Sequence, residues 1–60
     1  MKTVRIYMEG GVIQDMIVPM GVKVEVFDYD VEGVEEDRVL QDANGDEYVL
    51  SEWFENQQAV

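Results

Sequence analysis

Apolar and polar side chains alternate at the start of the chain. Over residues 3–9, Val4, Ile6 and Met8 share one phase, and charged or amphipathic side chains share the other. A period of two is typical of a β-strand that buries one face. The pattern therefore predicts a first strand whose apolar face is directed toward a core.

A glycine pair at 10–11 interrupts this pattern, and residues 12–18 form a second apolar run. We interpret the two segments as a turn and a return strand, which together make a β-hairpin. A three-residue loop places Ile6 opposite Met16 and keeps one face mostly apolar, whereas a two-residue turn places Ile6 opposite Asp15. The three-residue loop is expected, because a slip of one residue would turn every side chain to the other face.

The third predicted strand has the clearest alternation in the chain. Pro19 and Gly21 end the preceding segment, and residues 22–29 then place three valines on one phase. This strand is expected to bury its valines and to present the other phase outward. The outward positions are Lys23, Glu25, Phe27 and Tyr29.

Residues 30–37 form a polar connection, and the segment after it has two possible interpretations. Acidic side chains suit the first turn of a helix, so residues 34–40 could form one or two helical turns. Equally, residues 38–41 could form a short strand. We favour the strand because a turn signal lies directly after it.

That signal is Asn44-Gly45, a dipeptide typical of two-residue hairpin turns. A turn of this kind pairs Gln41 with Tyr48 across the hairpin. The sequence therefore predicts two antiparallel strands joined at this dipeptide.

The last predicted strand covers residues 47–54. If the even-numbered residues from Tyr48 face inward, Trp53 points outward together with Val49. Residues 55–60 are expected to form a frayed tail, because terminal segments without apolar periodicity are rarely ordered.

The composition supports strands throughout. The chain has 11 Val, 3 Ile and 1 Thr against 2 Leu and 2 Ala, and β-branched side chains fit a pleated surface. A length of 60 residues allows one domain, residues 1–60, with a thin margin of stability. The expected fold is mainly β: a small antiparallel sheet or half-barrel of four to five strands, with one short helix near residues 34–40 as the alternative there.

The charge is strongly negative and unevenly distributed. The formal net charge is -10, and residues 25–60 hold 12 of the 14 acidic side chains against Arg38 alone. Such a chain would be repelled by phosphates, so direct binding of nucleic acid is not expected. No long apolar run indicates a membrane span or a signal peptide, and a cytoplasmic protein without a cofactor is expected.

One acidic segment partly matches a calcium-binding loop. Asp28, Asp30 and Glu32 occupy the first three ligand positions of an EF-hand loop, and Gly33 occupies its sixth position. The twelfth position, which should be a bidentate Glu, is Val39. An acidic turn is therefore the expected structure, with Asp28, Asp30 and Glu32 as weak candidates for a calcium site.

The sequence offers little for catalysis. It has no His and no Cys, so the commonest general base and the thiolate nucleophile are both missing. Ser51 and Thr3 are the hydroxyl candidates, and no His is present to activate them. We expect a protein that is not an enzyme.

Aromatic side chains cluster near the end of the chain. Tyr48, Trp53 and Phe54 lie among Glu47 and Glu52. Aromatic residues ringed by acids are typical of an interface that binds a basic partner. The alternative is that Trp53 folds over the end of the sheet as part of the core.

The opening segment 4–15, VRIYMEGGVIQD, and the later segment 28–33, DYDVEG, resemble short uncharacterised acidic proteins of bacteria and mobile elements. In size and charge alone the chain also resembles anti-defence inhibitors encoded by phages, including anti-CRISPR proteins and DNA mimics. The second resemblance implies an inhibitor that covers a basic, nucleic-acid-binding surface of a host defence protein.

The expected function is therefore that of a non-enzymatic module that docks on a basic protein surface. Thin packing and exposed sheet edges also predict a homodimer. The alternatives are a general complex subunit whose acidity only maintains solubility, and a weak calcium-binding protein. The predicted partner-binding residues are Asp28, Asp30, Glu32, Glu35, Glu36, Asp37, Glu47, Tyr48, Glu52, Trp53 and Glu55.

Overall fold

The computed structural model describes residues 1–56, and they form one four-stranded sheet. The strands are β1 (Lys2–Met8), β2 (Val22–Asp28), β3 (Leu40–Gln41) and β4 (Glu47–Trp53). Their order across the sheet is β1-β2-β4-β3, and a single turn of 3-10 helix, Glu36–Arg38, precedes β3. The predicted mainly β fold is confirmed. Within the described part of the chain, no helix has the length and apolar character needed to cross a membrane.

The sheet is mixed, because its first two strands run parallel. Lys2 lies opposite Val22 at one end of the pair, and Met8 lies opposite Asp28 at the other. The predicted hairpin at 10–11 and the predicted return strand 12–18 are therefore wrong. A parallel pair needs a crossover connection of about a dozen residues or more, and residues 9–21 supply it without forming a strand.

The crossover segment, residues 9–21, packs over one face of the sheet. Val18 is fully buried, and it forms the core together with Val24 and Val26 of β2. Ile13 and Met16 also pack against this cluster. The apolar run therefore serves as a covering layer. Full burial of a valine-sized side chain contributes about 1.5–3 kcal/mol to the free energy of unfolding, so this contact is a main source of stability.

The two faces of the sheet differ as a result. The face beneath the crossover segment, called here the covered face, carries Val4, Ile6 and Met8 of β1 on the same side as the β2 valines. This confirms the apolar phase predicted for the first strand. The opposite face, called here the open face, carries Tyr7 and Phe27, which lie opposite each other in the parallel register.

A single side chain after β4 fixes the crossover segment in place. The Asn56 Oδ1 atom accepts a hydrogen bond from the Val18 backbone N–H at 2.7 Å, and its Nδ2 atom donates to the Met16 carbonyl at 2.7 Å. The backbone N–H of Asn56 also donates to the Val18 carbonyl. These bonds satisfy the backbone of an irregular segment whose partner is not another strand.

The antiparallel pairing of β4 with β2 decides which way β4 faces. Trp53 lies opposite Val24 and Ser51 lies opposite Val26, so the odd-numbered residues share the covered face. Val49 is buried and Trp53 is half-buried against the core. The predicted inward position of Tyr48 and its even-numbered neighbours is therefore wrong.

The segment before β4 combines the two open interpretations. It contains both a helical turn, Glu36–Arg38, and a short strand, Leu40–Gln41. The hairpin that joins β3 to β4 has a register one residue away from the predicted one, because Gln41 lies opposite Glu47 rather than Tyr48.

A carboxylate explains the wider hairpin loop, residues 42–46. The Asp42 carboxylate accepts hydrogen bonds from the backbone N–H groups of Asn44 at 2.9 Å and Asp46 at 3.0 Å. Gly45 closes the turn by donating to the Asp42 carbonyl, with a φ of 84° that suits glycine. A two-residue turn would not form these hydrogen bonds to Asp42.

The frayed tail predicted over residues 55–60 lies mostly outside the described residues. Of this range the structure describes Glu55 and Asn56. The Gly21 backbone N–H donates to the Glu55 carboxylate at 3.3 Å, close to the Asn56 contacts described above.

Replacement of Asn56 by alanine tests the role of these contacts. Asn56→Ala removes both side-chain hydrogen bonds and leaves the part-buried Val18 N–H without its acceptor. The free energy of unfolding should fall by about 1–3 kcal/mol, as measured by urea denaturation followed through Trp53 fluorescence. Asn44→Ala is the matched control, because Asn44 is exposed and its φ is negative. Equal stability of the two variants would contradict the anchoring role.

Candidate functional site

The open face is the distinctive surface of the protein. Among residues 1–56 the buried side chains are Val18, Val24, Val26 and Val49, and all of them belong to the covered side. Tyr7, on the edge strand β1, is 64% exposed. A sheet face with aromatic side chains and no covering layer is a candidate interaction surface.

Four aromatic rings form a continuous row across the open face. Tyr7 of β1 stacks on Phe27 of β2, with ring centroids 5.0 Å apart and planes inclined by 17°. Phe27 contacts Tyr48 of β4 at 5.3 Å, and Tyr48 contacts Tyr29 at 5.6 Å. We call these four residues the aromatic row. Ring contacts of this kind contribute about 0.5–1.5 kcal/mol each beyond burial, so the row is a fixed platform.

Ion pairs occupy the end of the open face nearest the chain start. Arg5 Nε lies 3.0 Å from Glu25 Oε1, and Lys23 Nζ bridges Glu25 and Glu52. The hydrogen bond from Lys23 to Glu52 is the largest cause of the raised pKa of Lys23, and desolvation opposes it. Two of the four basic side chains of the chain are thereby neutralised within the sheet.

The other end of the row is held by a tyrosine–carboxylate hydrogen bond. The Tyr29 hydroxyl donates to Asp42 Oδ2 at 3.0 Å. Burial, followed by the Asp42 carboxylate, raises the pKa of Tyr29, so its phenol stays neutral. Burial also acts to raise the pKa of Asp42, but hydrogen bonds from Asp46, Tyr29 and Asn44 outweigh it and the pKa is lowered.

The sequence-predicted contact residues of β4 are divided between the two faces. Tyr48 and Glu52 lie on the open face, where Tyr48 belongs to the aromatic row and Glu52 pairs with Lys23. Trp53 lies on the covered side and packs against the core, whereas Glu47 is exposed at the start of β4. Of the two alternatives for Trp53, an outward position and a place in the core, the structure has the second, because pairing with the valines of β2 sets the phase of β4.

The predicted acidic residues from 28 to 37 serve two different purposes. Asp28 and Asp30 organise their own turn, since Asp28 Oδ1 accepts from the Gly10 and Asp30 backbone N–H groups at 3.0 Å each, and Asp30 Oδ1 accepts from Glu32 at 3.2 Å. The remaining side chains are exposed and make no side-chain hydrogen bond or ion pair to any described residue. They are Glu32, Glu35, Glu36 and Asp37.

These carboxylates do not converge on one point. No group of three metal-ligating side chains in residues 1–56 is arranged to hold a metal ion. The Asp28 carboxylate instead accepts hydrogen bonds from two backbone N–H groups, of which the bond from Gly10 is the larger cause of its lowered pKa. Asp28, Asp30 and Glu32 therefore fit the acidic turn that was expected for this segment.

Two adjoining clefts lie at the carboxyl ends of the parallel strands. The larger, about 360 Å³, is called here the end cleft and is lined by Glu9, Tyr29, Val31, Asp46 and Glu47. The smaller, about 230 Å³, shares Glu9 and Tyr29 and extends along β1 to Tyr7. The end of the aromatic row therefore opens into a space with acidic walls.

A third cleft, about 210 Å³, lies on the covered side beneath the crossover segment. Asp28 and Ser51 are its polar side chains, and Met8, Ile13 and Trp53 are among its apolar walls. The lowered pKa of Asp28 keeps this carboxylate ionised at neutral pH, whereas a general base needs a pKa closer to the working pH.

Sequence reasoning did not bring together several residues that matter here. Phe27 was predicted to face outward, but its contact with Tyr7 depends on the parallel register. The hydrogen bond between Tyr29 and Asp42 joins residues that lie 13 positions apart in the sequence. No signal in the sequence indicated Asn56, which lies in a polar segment.

In comparisons with protein-family models, curated proteins and solved structures, nothing matches this chain.

Because of the Asp28 carboxylate, the free energy of unfolding should fall as the pH is lowered into the acid range. Its pKa in the folded protein is lower than the ordinary value of 3.8, so the unfolded chain takes up its proton first. The contribution is complete above pH 3.8 and is lost as the pH falls through the folded pKa. Asp28→Asn should weaken this acid-induced loss, as measured by urea midpoints across a pH series.

Asp37→Asn is the control for this measurement, because Asp37 is exposed and makes no side-chain hydrogen bond to the described residues. It should leave the dependence of the midpoint on pH unchanged. The same dependence in Asp28→Asn as in the unmodified protein would show that the Gly10 and Asp30 bonds do not stabilise the fold.

Proposed function

We propose that this protein is a non-enzymatic binding module that docks its open face on a basic, nucleic-acid-binding surface of another protein. The observation that supports the proposal best is the aromatic row on a face without a covering layer, bordered by carboxylates. By occupying such a surface, the module excludes the nucleic acid that would otherwise bind there.

Electrostatics supports a basic partner. The net charge is -10, and the cations nearest the aromatic row, Arg5 and Lys23, are already paired with Glu25 and Glu52. Exposed acids on the connection before β3 and in the β3–β4 loop add to the negative potential at the opposite end of the row. A fixed negative potential steers association toward basic grooves and discriminates against acidic surfaces.

The aromatic row supplies the contact area that charge alone lacks. Exposed ion pairs contribute only about 0–1 kcal/mol each, so an acidic surface by itself binds weakly. Rigid tyrosine and phenylalanine rings are typical centres of binding energy in interfaces. Phe27, Tyr29 and Tyr48 are half-buried and are ordered by their ring contacts, which lowers the entropy cost of docking.

In this proposal the biological role is inhibition. The exposed carboxylates of Glu32, Glu35, Glu36 and Asp37 would meet side chains that otherwise contact phosphate groups. A phage or mobile element would gain from such a module if the covered surface belonged to a host defence protein. The proposal does not require any turnover by the module itself.

Competition with DNA tests the proposed function. The immobilised protein is incubated with nuclease-treated bacterial lysate, and bound proteins are challenged with duplex DNA at low salt. Captured partners should be released by the DNA, because both ligands occupy the same basic surface, and they should also elute steeply with rising salt. The measurement is quantitative mass spectrometry of the released fraction.

Two matched variants locate the contact. Tyr7→Ala removes an exposed ring from the aromatic row, and Ile17→Ala removes a side chain that is 77% exposed on the crossover segment. Capture should fall with Tyr7→Ala and persist with Ile17→Ala. Partners that stay bound in excess DNA and high salt, or that respond equally to both variants, would contradict docking through the open face.

The predicted homodimer is proposed to use a sheet edge. The outer edge of β1 has no partner strand among the described residues, and exposed edges favour strand pairing. Residues 1–8 carry no acid, so this edge avoids part of the repulsion between two negative chains. Light scattering coupled to size exclusion should give a dimer at micromolar concentration; a monomer would contradict this proposal and leave the docking of a basic partner unaffected.

A further inference from the structure

The end cleft combines an aromatic wall with acidic walls. Tyr29 is its aromatic residue, Glu9, Asp46 and Glu47 are its three acidic residues, and Val31 completes the lining. Its volume of about 360 Å³ lies at the lower end of the range for small-ligand sites, about 300–1,000 Å³. The space is suited to one long side chain inserted from a partner.

The charges of the cleft have no counterpart in its own walls. No basic side chain lines this cleft or the adjoining one. Arg5 and Lys23 form their ion pairs at the other end of the sheet. A cationic group from outside therefore complements the cleft, whereas an anionic or purely apolar group does not.

The ring that lines the cleft is held in a defined orientation. The Tyr29 hydroxyl donates to Asp42 at 3.0 Å, and the ring contacts Tyr48 at 5.6 Å. The Tyr29 backbone N–H also donates to the Met8 carbonyl at 2.8 Å. A fixed ring beside carboxylates favours a planar guanidinium, which stacks on aromatic faces and forms paired hydrogen bonds with carboxylates, over the compact, strongly hydrated ammonium of lysine.

We propose that the end cleft receives an arginine side chain of the basic partner, with the guanidinium against the Tyr29 ring and in hydrogen-bonding contact with the surrounding carboxylates. This inference rests on the proposed function, since it names the side chain by which the partner is recognised. Specificity for arginine distinguishes the cleft from the exposed acids before β3, which attract either kind of cation.

Two peptide probes test the inference. Fluorescein-labelled peptides of equal length, one alternating arginine with glycine and one alternating lysine with glycine, are titrated with the protein at a fixed low ionic strength. Fluorescence anisotropy gives the two dissociation constants. The arginine peptide should bind more tightly by roughly two- to fivefold, the range expected for stacking of a cation on an exposed ring.

Neutralising the cleft should remove this preference. The triple variant Glu9→Gln/Asp46→Asn/Glu47→Gln changes exposed side chains that line the cleft and make no side-chain hydrogen bond to the described residues. It should bring the ratio of the two dissociation constants close to one, because the guanidinium is no longer held beside the ring.

A matched triple variant separates the cleft from general charge. Glu32→Gln/Glu35→Gln/Glu36→Gln makes the same change in net charge at exposed positions outside the cleft. It should raise the dissociation constants of both peptides by the same factor and so preserve the arginine preference.

Variants of Tyr29 test the ring itself. Tyr29→Phe keeps the ring and should retain the preference, whereas Tyr29→Leu should abolish it, with circular dichroism as the check of folding. If Tyr29→Leu does not fold, the two triple variants decide the matter, since they replace only exposed side chains.

The outcomes distinguish this inference from the proposed function. Salt-sensitive binding of both peptides without an arginine preference, or a preference that both triple variants reduce equally, overturns the arginine site and leaves docking on a basic surface in place. Failure of the unmodified protein to bind either peptide at low salt overturns both. The inference is supported if the arginine preference is lost in the cleft triple variant and in Tyr29→Leu, and is kept in Tyr29→Phe.

Discussion

The packing of the crossover segment against one sheet face is the contact on which the rest of the structure depends. A single sheet has no second layer of its own, and a stable domain needs two layers around a core. Val18 supplies the missing layer by fitting against Val24 and Val26. Asn56 holds the segment there by bonding its backbone, so the first part of the chain and the segment after β4 are fixed by the same contact.

This arrangement leaves the two faces of the sheet unequal. The crossover segment covers one face. The other face therefore keeps its aromatic side chains near solvent, although Tyr7, Phe27 and Tyr48 contact one another across three strands. A surface that is rigid and apolar at its centre, with charges around it, has the anatomy of a protein interface.

The acidic residues are not equivalent, although they give the chain one overall charge. Asp28 and Asp42 accept backbone hydrogen bonds and shape turns, and Glu25 and Glu52 neutralise Arg5 and Lys23. The remaining acids project from connections and from the end cleft. Because the internal ion pairs are formed at one end of the sheet, the excess negative charge lies toward the other end. The positions of the acidic side chains in the fold thus make the surface charge more negative at one end of the sheet than at the other.

Local pattern was sufficient to determine much of this protein from its sequence. Alternation located the strands beginning near Lys2, Val22 and Glu47, and it identified Val24 and Val26 of β2 as buried, because the period of two follows from backbone geometry within each strand. Which strands pair, and in which direction, depends on contacts distant in sequence. Val18 prefers the sheet face to a place in a hairpin, since burial there is complete. With the crossover segment on the sheet face, β1 and β2 run parallel, and Tyr7 lies against Phe27. The pairing of β4 with β2 then directs Trp53 toward the core. These features were decided by tertiary packing and not by the local pattern.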